Sequence, residues 1–269
     1  VQTCALPIFM LKITQFKYIP RPNARDIVHK TLQPAIRYTK EECLDLPEMT
    51  YVDREIPLSS QQAKYYDKLR KQLLVQAAGE EISAVNAAVE MNKLLQISSG
   101  AVYSDTGEVV EFDCTNRLNE LKEIIEQSSH KTLVFANFTH GISTIQSFLS
   151  KHDIPNDSIH GGVSLSKRSA LIEKFQKTDS PQVLVIQPQA ASHGITLHAA
   201  NTIVWWSPIP SLEFYLQANA RVHRAGQKNP CTIYHLGGSP VESKRYKQLQ
   251  SNGDNQDDLL SLYKEVLEG

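Results

Sequence analysis

The order of apolar and polar positions divides this chain into two stretches of different rhythm. Up to about residue 112 the signals are mixed. Residues 9–50 are irregular and broken by Pro20, Pro22, Pro34 and Pro47, with short helices predicted at 24–32 and 40–44. Residues 51–58 alternate as a strand does. Ser59 and Ser60 then stand where a helix cap belongs, and the helix predicted through residue 78 carries an apolar stripe of Tyr66, Leu69 and Leu73. Its Lys64, Lys68 and Lys71 read as a solvated face. A second helix over 82–97 is apolar at Val85, Val89, Leu94 and Leu95, and 102–112 reads as a hairpin turning at Asp105-Thr106-Gly107.

From Asn116 the pattern becomes regular. Apolar strands are predicted at 132–136, 158–160, 183–187, 202–206 and 232–236, with amphipathic helices over 141–151, 165–176 and 211–223. Short, continuously apolar strands alternating with helices predict an α/β domain whose parallel sheet is covered on both faces. In such sheets ligands bind beyond the carboxyl ends of the strands, so the loops there are expected to carry the chemistry. Residues 241–269 read as a final helix interrupted by the polar stretch 251–258.

Composition narrows the class. The 269 residues are 41% apolar and 21% charged with a net charge of −1, so any binding of nucleic acid must use a local patch. Cys4, Cys43, Cys114 and Cys231 lack the spacing of a zinc set or a redox pair and read as isolated thiols. No apolar run approaches the ~20 residues that span a bilayer, and the start lacks the form of a signal peptide, so a cytoplasmic protein is expected. The opening VQTCALPI resembles the translated end of a sequencing adapter, which makes 1–8 an expected non-native start of a gene cut by the end of a read.

The sharpest chemical signal is QANARVHRAGQ, residues 217–227. Gln217, Arg221 and Arg224 are spaced four and three apart, which on a continuous helix puts two guanidiniums and an amide on one edge. Leu212, Tyr215, Leu216 and Val222 would then face a core, with His223 towards that side as a structural hydrogen-bonder. Arginine is always charged and its planar fork matches phosphate oxygens, so the pattern suits a polyphosphate.

This string resembles motif six of superfamily-two helicases, in the form used by the SWI/SNF family of DNA-translocating ATPases. Other blocks follow in that family's order. KTLVFANF (131–138) resembles motif four. IHGGVSLSKRSALIEKF (159–175) resembles the next block, where Gly161 and Gly162 allow close backbone approach and Ser164 can cap a helix whose N-terminus attracts phosphate. Contacts of Gly162, Ser164 and Lys167 with a DNA backbone are implied there, a simple turn with solvated charges being the alternative. VLVIQPQAASHGITLHAANTIVWW (183–206) resembles motif five and implies a nucleotide contact at Gly194 and nucleic-acid contacts at His193 and Thr196. Ala191 and Ser192 replace a usual Gly-Gly pair and Thr196 a usual Asn, a form closer to the bacterial and phage branch. Trp205 and Trp206 read as packing residues, and Glu242 in HLGGSPVES as a structural acid.

The resemblance implies a RecA-like domain over 113–245, preceded by a mainly helical connector at 20–112 and followed by a helical extension at 246–269; residues 1–19 form the non-native or truncated start. It implies that Arg221 and Arg224 reach across a cleft to ATP, with Gln217 orienting them or the attacking water. Neither Gly-Lys nor Asp-Glu occurs as a dipeptide, so the phosphate loop and the acidic pair that holds Mg2+ must come from an N-terminal RecA-like domain outside this chain. DNA and that domain are the expected partners. The alternative is a non-catalytic nucleic-acid-binding or regulatory module that has kept the fold.

Overall fold

The computed structural model describes residues 10–13, 18–34, 45–79, 84–104, 108–191 and 195–251. The chain divides into two compact units, 1–45 and 46–269. In the first, β1 (Met10–Lys12) pairs antiparallel with β2 (Tyr18–Pro20), and α1 (Ala24–Thr31) follows without a buried residue. The helix predicted at 40–44 lies outside the described residues.

The second unit begins with β3 (Met49–Glu55), then α2 (Ser60–Gly79) and α3 (Ala84–Ser99). The start of α2 shows why it forms there: the Ser59 hydroxyl accepts from the Gln62 amide at 3.3 Å, while the Gln62 side chain accepts from Ser59 N at 3.0 Å. Two otherwise orphaned amides are satisfied reciprocally. Tyr66 and Leu73 are buried as their stripe predicts, with Leu69 packed alongside. Val89, expected to be buried on α3, is 54% exposed, because Met91, Leu94 and Leu95 face the core instead. The hairpin is β4 (Ala101–Tyr103) with β5 (Val109–Glu111); its predicted turn at 105–107 lies outside the described residues.

Then come α4 (Thr115–Gln127), β6 (Lys131–Phe135), α5 (Thr139–Lys151), β7 (Asn156–Ile159), α6 (Leu165–Lys177) and β8 (Val183–Ile186). A short 3-10 turn (Pro188–Ala191), β9 (Ala200–Trp205), α7 (Leu212–Asn219), β10 (Cys231–Gly237) and α8 (Pro240–Gln250) complete it. Six strands form one sheet in the order β3-β10-β9-β6-β8-β7, and every neighbouring pair is parallel. The strand assigned to the connector, β3, is thus the sixth strand, in register with β10 from Met49↔Cys231 to Glu55↔Gly237. Alternation alone identifies a strand but not its neighbours.

The period of two sorts the strand residues onto two cores. Leu133, Phe135, Leu184, Ile186, Ile203 and Trp205 face α6, α7 and α8 through Phe175, Tyr215 and Tyr246. Val134, Val183, Val185 and Val204 face α4 and α5 through Leu121, Ile125, Ile145 and Leu149. Gly238 follows β10 where a Cβ would stand 1.7 Å from the Ile56 carbonyl oxygen, so only glycine lets these two backbones approach.

Candidate functional site

The predicted helix over 211–223 is the main correction. Helix α7 is capped by Ser211, whose hydroxyl accepts from Phe214 N, and it ends at Asn219. Beyond it the chain tightens: Arg221 N donates to Ala218 O and Val222 N to Asn219 O, three residues back rather than four. Asn219 is drawn inward by Trp205, whose indole N–H donates to its Oδ1 at 3.0 Å. The Arg221 carbonyl, which would continue a helix, accepts instead from Leu197 N at 2.9 Å. Gly226, at φ +100°, completes the turn in a backbone conformation that favours glycine. Gln217, Arg221 and Arg224 therefore do not share one continuous helix edge; Gln217 lies on α7 and both arginines lie on the turn after it.

The turn still brings the arginines together. Both are half-buried, and burial, followed by the positive charge of Arg224, lowers the Arg221 guanidinium from its usual range. Arg224 Nη1 donates to Ile195 O at 3.3 Å, so the two segments resembling motifs five and six are joined at two points. Leu216 is 46% exposed rather than packed inward, because α7 turns Tyr215, Ala218 and Asn219 to the core instead. His223 Nε2 donates to Pro47 O at 2.7 Å, the structural bond expected of it. The Gln217 amide donates to the Glu213 carboxylate at 2.8 Å.

The location differs from expectation too. Gln227, buried behind the arginines, donates to the carbonyls of His198 and of Ala200, the first residue of β9, at 3.2 and 2.8 Å. Its Oε1 accepts from the amides of Lys228 and Asn229, both at 3.0 Å. The arginine turn thus sits at the amino-terminal edge of the parallel sheet, not beyond its carboxyl ends. Gln227 and its neighbours went unread because a buried amide that binds only backbone has no spacing signature.

The second group of candidates does sit at the carboxyl edge. After β7, Gly161 and Gly162 are exposed, and Ser164 caps α6 by accepting from Lys167 N at 3.4 Å. The side chain of Lys167 is exposed. Arg168 pins this turn from within: Nε donates to Val163 O at 2.8 Å, and Nη2 to His160 O and Gly161 O at 3.1 and 3.3 Å. The amides of Gly161, Gly162 and Lys167 already donate to Gln187, His160 and Ser164, so what this braced loop offers an extended anion is the exposed Lys167 cation at a helix N-terminus. Thr196 is partly buried beside Ile195, while His193 and Gly194 lie outside the described residues.

Trp205 and Trp206 are fully buried, as packing residues should be. Glu242 is completely buried and takes two bonds from Arg117, at 2.7 and 2.9 Å, with Gly238 N and Ser239 Oγ as further donors. Burial works against the Arg117 charge, but the Glu242 charge and hydrogen bonds outweigh it and raise the net proton affinity. Among the described residues no group of three or more His, Cys, Asp or Glu side chains is placed to hold a metal ion. No described helix is long and apolar enough to cross a membrane.

The helicase conserved C-terminal domain family matches residues 116–226. The CHD3-type chromatin-remodeling factor PICKLE of Arabidopsis thaliana is 26% identical over 251 residues, covering 87% of this chain and 18% of the plant protein. The chain therefore spans less than a fifth of that relative. The C-terminal part of the Fun30 ATPase domain superposes with a TM-score of 0.67 at 17% identity, covering 83% of this chain and 98% of that one. The Sulfolobus solfataricus SWI2/SNF2 ATPase core in complex with dsDNA gives a TM-score of 0.60 at 22% identity, covering 91% and 53%.

Proposed function

From the premise that this chain belongs to the SWI/SNF class of helicase-like proteins and carries their RecA-like C-terminal domain, we propose that it is the second motor domain of an ATP-dependent DNA translocase. The observation that carries the reading is the Arg221–Arg224 turn: two like charges held close, half-buried, and tied to the 195–197 segment by two separate bonds. Two like charges held close repel, and a bound anion relieves that repulsion.

The anion is ATP, presented by an N-terminal RecA-like domain that also holds Mg2+. ATP supplies the phosphoryl group whose transfer to water releases the energy of each step. This chain contributes position and charge: Arg221 and Arg224 neutralise negative charge on the terminal phosphate as the cleft closes. Gln217, adjacent on α7, orients an arginine or the attacking water once its bond to Glu213 is exchanged. Gly194, in the segment that resembles motif five, contributes a nucleotide contact. Gly162, Ser164 and Lys167 contribute one contact with the DNA backbone, through a hydroxyl and a cation at the carboxyl edge, and His193 and Thr196 contribute a separate one, both without base readout.

The second reading, a RecA-like module that binds nucleic acid without catalysis, makes the arginine pair superfluous. Reading the coding DNA upstream of the Phe9 codon separates the two. An open frame encoding a phosphate loop and an acidic pair supports the motor; a ribosome-binding site and start codon support the module. The chain alone is expected to hydrolyse ATP at background rate and to bind duplex DNA weakly and with steep salt dependence. Robust turnover by the purified chain contradicts the assignment.

A further inference from the structure

The turn at Gly161–Lys167 and the turn at Arg221–Arg224 lie at opposite edges of the sheet, yet a motor needs each to register the state of the other. Side chains at the carboxyl edge link the first turn across the sheet to the start of α7, and α7 leads from there to the second. Gly161 N, in the β7 turn, donates to Gln187 Oε1 at 3.2 Å. Gln187 Nε2, at the end of β8, donates to Asn137 O at 3.4 Å. Asn137 Nδ2, at the end of β6, donates to Pro208 O at 2.7 Å and stands 3.4 and 3.5 Å from Ser207 Oγ and Ser207 O, beyond β9. The four strand ends β7, β8, β6 and β9 are adjacent in the sheet, so these bonds form a ladder across it.

The far end of the ladder is mechanically connected. Residues 207–211 are gripped on their other side by Arg245, whose guanidinium donates to Ile209 O and Pro210 O, and they end at Ser211, the cap of α7. Helix α7 is a rod of eight residues, about 12 Å at the usual rise, that delivers the chain to Arg221. Asn137 adds a telling detail. Among the described residues its buried Oδ1 has no partner, so the side chain is kept in place by what its amide N–H groups donate. A buried unsatisfied acceptor is destabilising, a cost that an apolar residue at that position would avoid.

We propose that Gln187 and Asn137 are positioning residues that couple the Gly161–Lys167 turn to the arginine turn, through the loop 207–211 and α7. The inference rests on the reading of the Gly161–Lys167 turn as a DNA contact. When phosphate fixes that turn, Gly161 fixes Gln187, Gln187 fixes the Asn137 backbone, and the Asn137 amide holds the cap end of α7. Neither residue touches DNA or nucleotide; each acts through its neighbour.

Hydrogen exchange read by mass spectrometry on this chain, with and without a short duplex DNA, tests the coupling without any need for ATPase activity. DNA is expected to slow exchange in peptides covering 207–227. Gln187→Glu keeps an acceptor for Gly161 N but loses the donor to Asn137; compared at equal duplex occupancy, it is expected to lose the slowing at 207–227. Asn137→Asp breaks the ladder one rung further on, with the same expected loss, so misfolding of one variant leaves the other to decide. Slowing that persists in a folded variant overturns the coupling. So does an unsubstituted chain that binds DNA with no change at 207–227, and that result leaves the DNA contact itself standing. An unsubstituted chain that does not bind the duplex removes the DNA contact and the coupling together.

Discussion

The amide of Leu197 donates to the carbonyl of Arg221 at 2.9 Å, and this single backbone bond ends one element and builds a site. It takes the acceptor that a longer α7 would need, and it fastens the arginine turn to the segment before β9. With Arg224 Nη1 on Ile195 O, it makes the two arginines part of one braced unit rather than free surface cations.

Gln227 supports that unit from below with three backbone carbonyls and two amides. Gln227→Ala is expected to cost about 2–3 kcal/mol in urea unfolding, since it strands several buried groups at once. Gln227→Glu removes the donors while keeping the acceptor and should cost at least as much. A change within about 0.5 kcal/mol for either, the size of an ordinary surface substitution, would show that the turn does not depend on it.

The buried pair Arg117–Glu242 joins α4 to the start of α8, with Arg117 Nη1 also donating to Trp206 O at 2.7 Å. Removing one partner leaves an uncompensated charge, so Glu242→Ala is expected to destabilise by about 3–5 kcal/mol. Replacing both by apolar residues of similar volume should recover much of the loss. A double variant no more stable than Glu242→Ala would contradict a paired-charge account.

His235 is enclosed between Tyr215, whose hydroxyl donates to its Nε2 at 2.9 Å, and Asp53, which accepts from Nδ1 at 2.8 Å. Burial lowers its pKa, with Asp53 opposing. The unfolded chain then binds the proton more readily than the folded one. The stabilisation is complete above the ordinary histidine value of ~6.5 and is lost as pH falls from there towards the lower folded value, with a slope of at most ~1.4 kcal/mol per pH unit. His235→Gln should flatten urea-derived stability over that window. An unchanged slope in the variant would assign the acid sensitivity to other groups.

Gly238→Ala places a methyl group on the Ile56 carbonyl oxygen, a backbone atom that cannot swing aside. The expected result is displacement of β3 from the sheet edge, seen as faster exchange of its amides together with a lowered Tm. Among the described residues Gly226→Ala meets only His198, at 3.7 Å, but it must hold φ +100°, so about 1 kcal/mol is expected. Native exchange at β3 in Gly238→Ala would show that the backbone contact is relieved elsewhere.

Much of the fold was legible because buried parallel strands such as VLVI write a continuous apolar run, and helices such as Thr139–Lys151 write a period near 3.6. What failed to show was tertiary in origin. The place of β3 in the sheet depends on β10, far along the chain, and α7 stops where Trp205 and Leu197 capture its last turn. The arginines were identifiable by type and spacing, but their position at the amino edge was not, because it is set by Gln227 and the 195–200 segment. Arg168 was visible only as a basic residue early in α6; its three bonds to backbone carbonyls leave no pattern in side-chain types.

The central claim is that the paired guanidiniums stabilise charge on a phosphate held by another domain. Its most direct test is DNA-stimulated ATP hydrolysis by a protein joining this chain to its phosphate-loop domain, with Arg224→Ala and Arg224→Lys compared at equal DNA occupancy. The account predicts a loss of about 10³-fold or more in kcat for Arg224→Ala with DNA affinity retained, and little recovery with lysine, which lacks the planar fork. Turnover near that of the unsubstituted protein in either variant would contradict it.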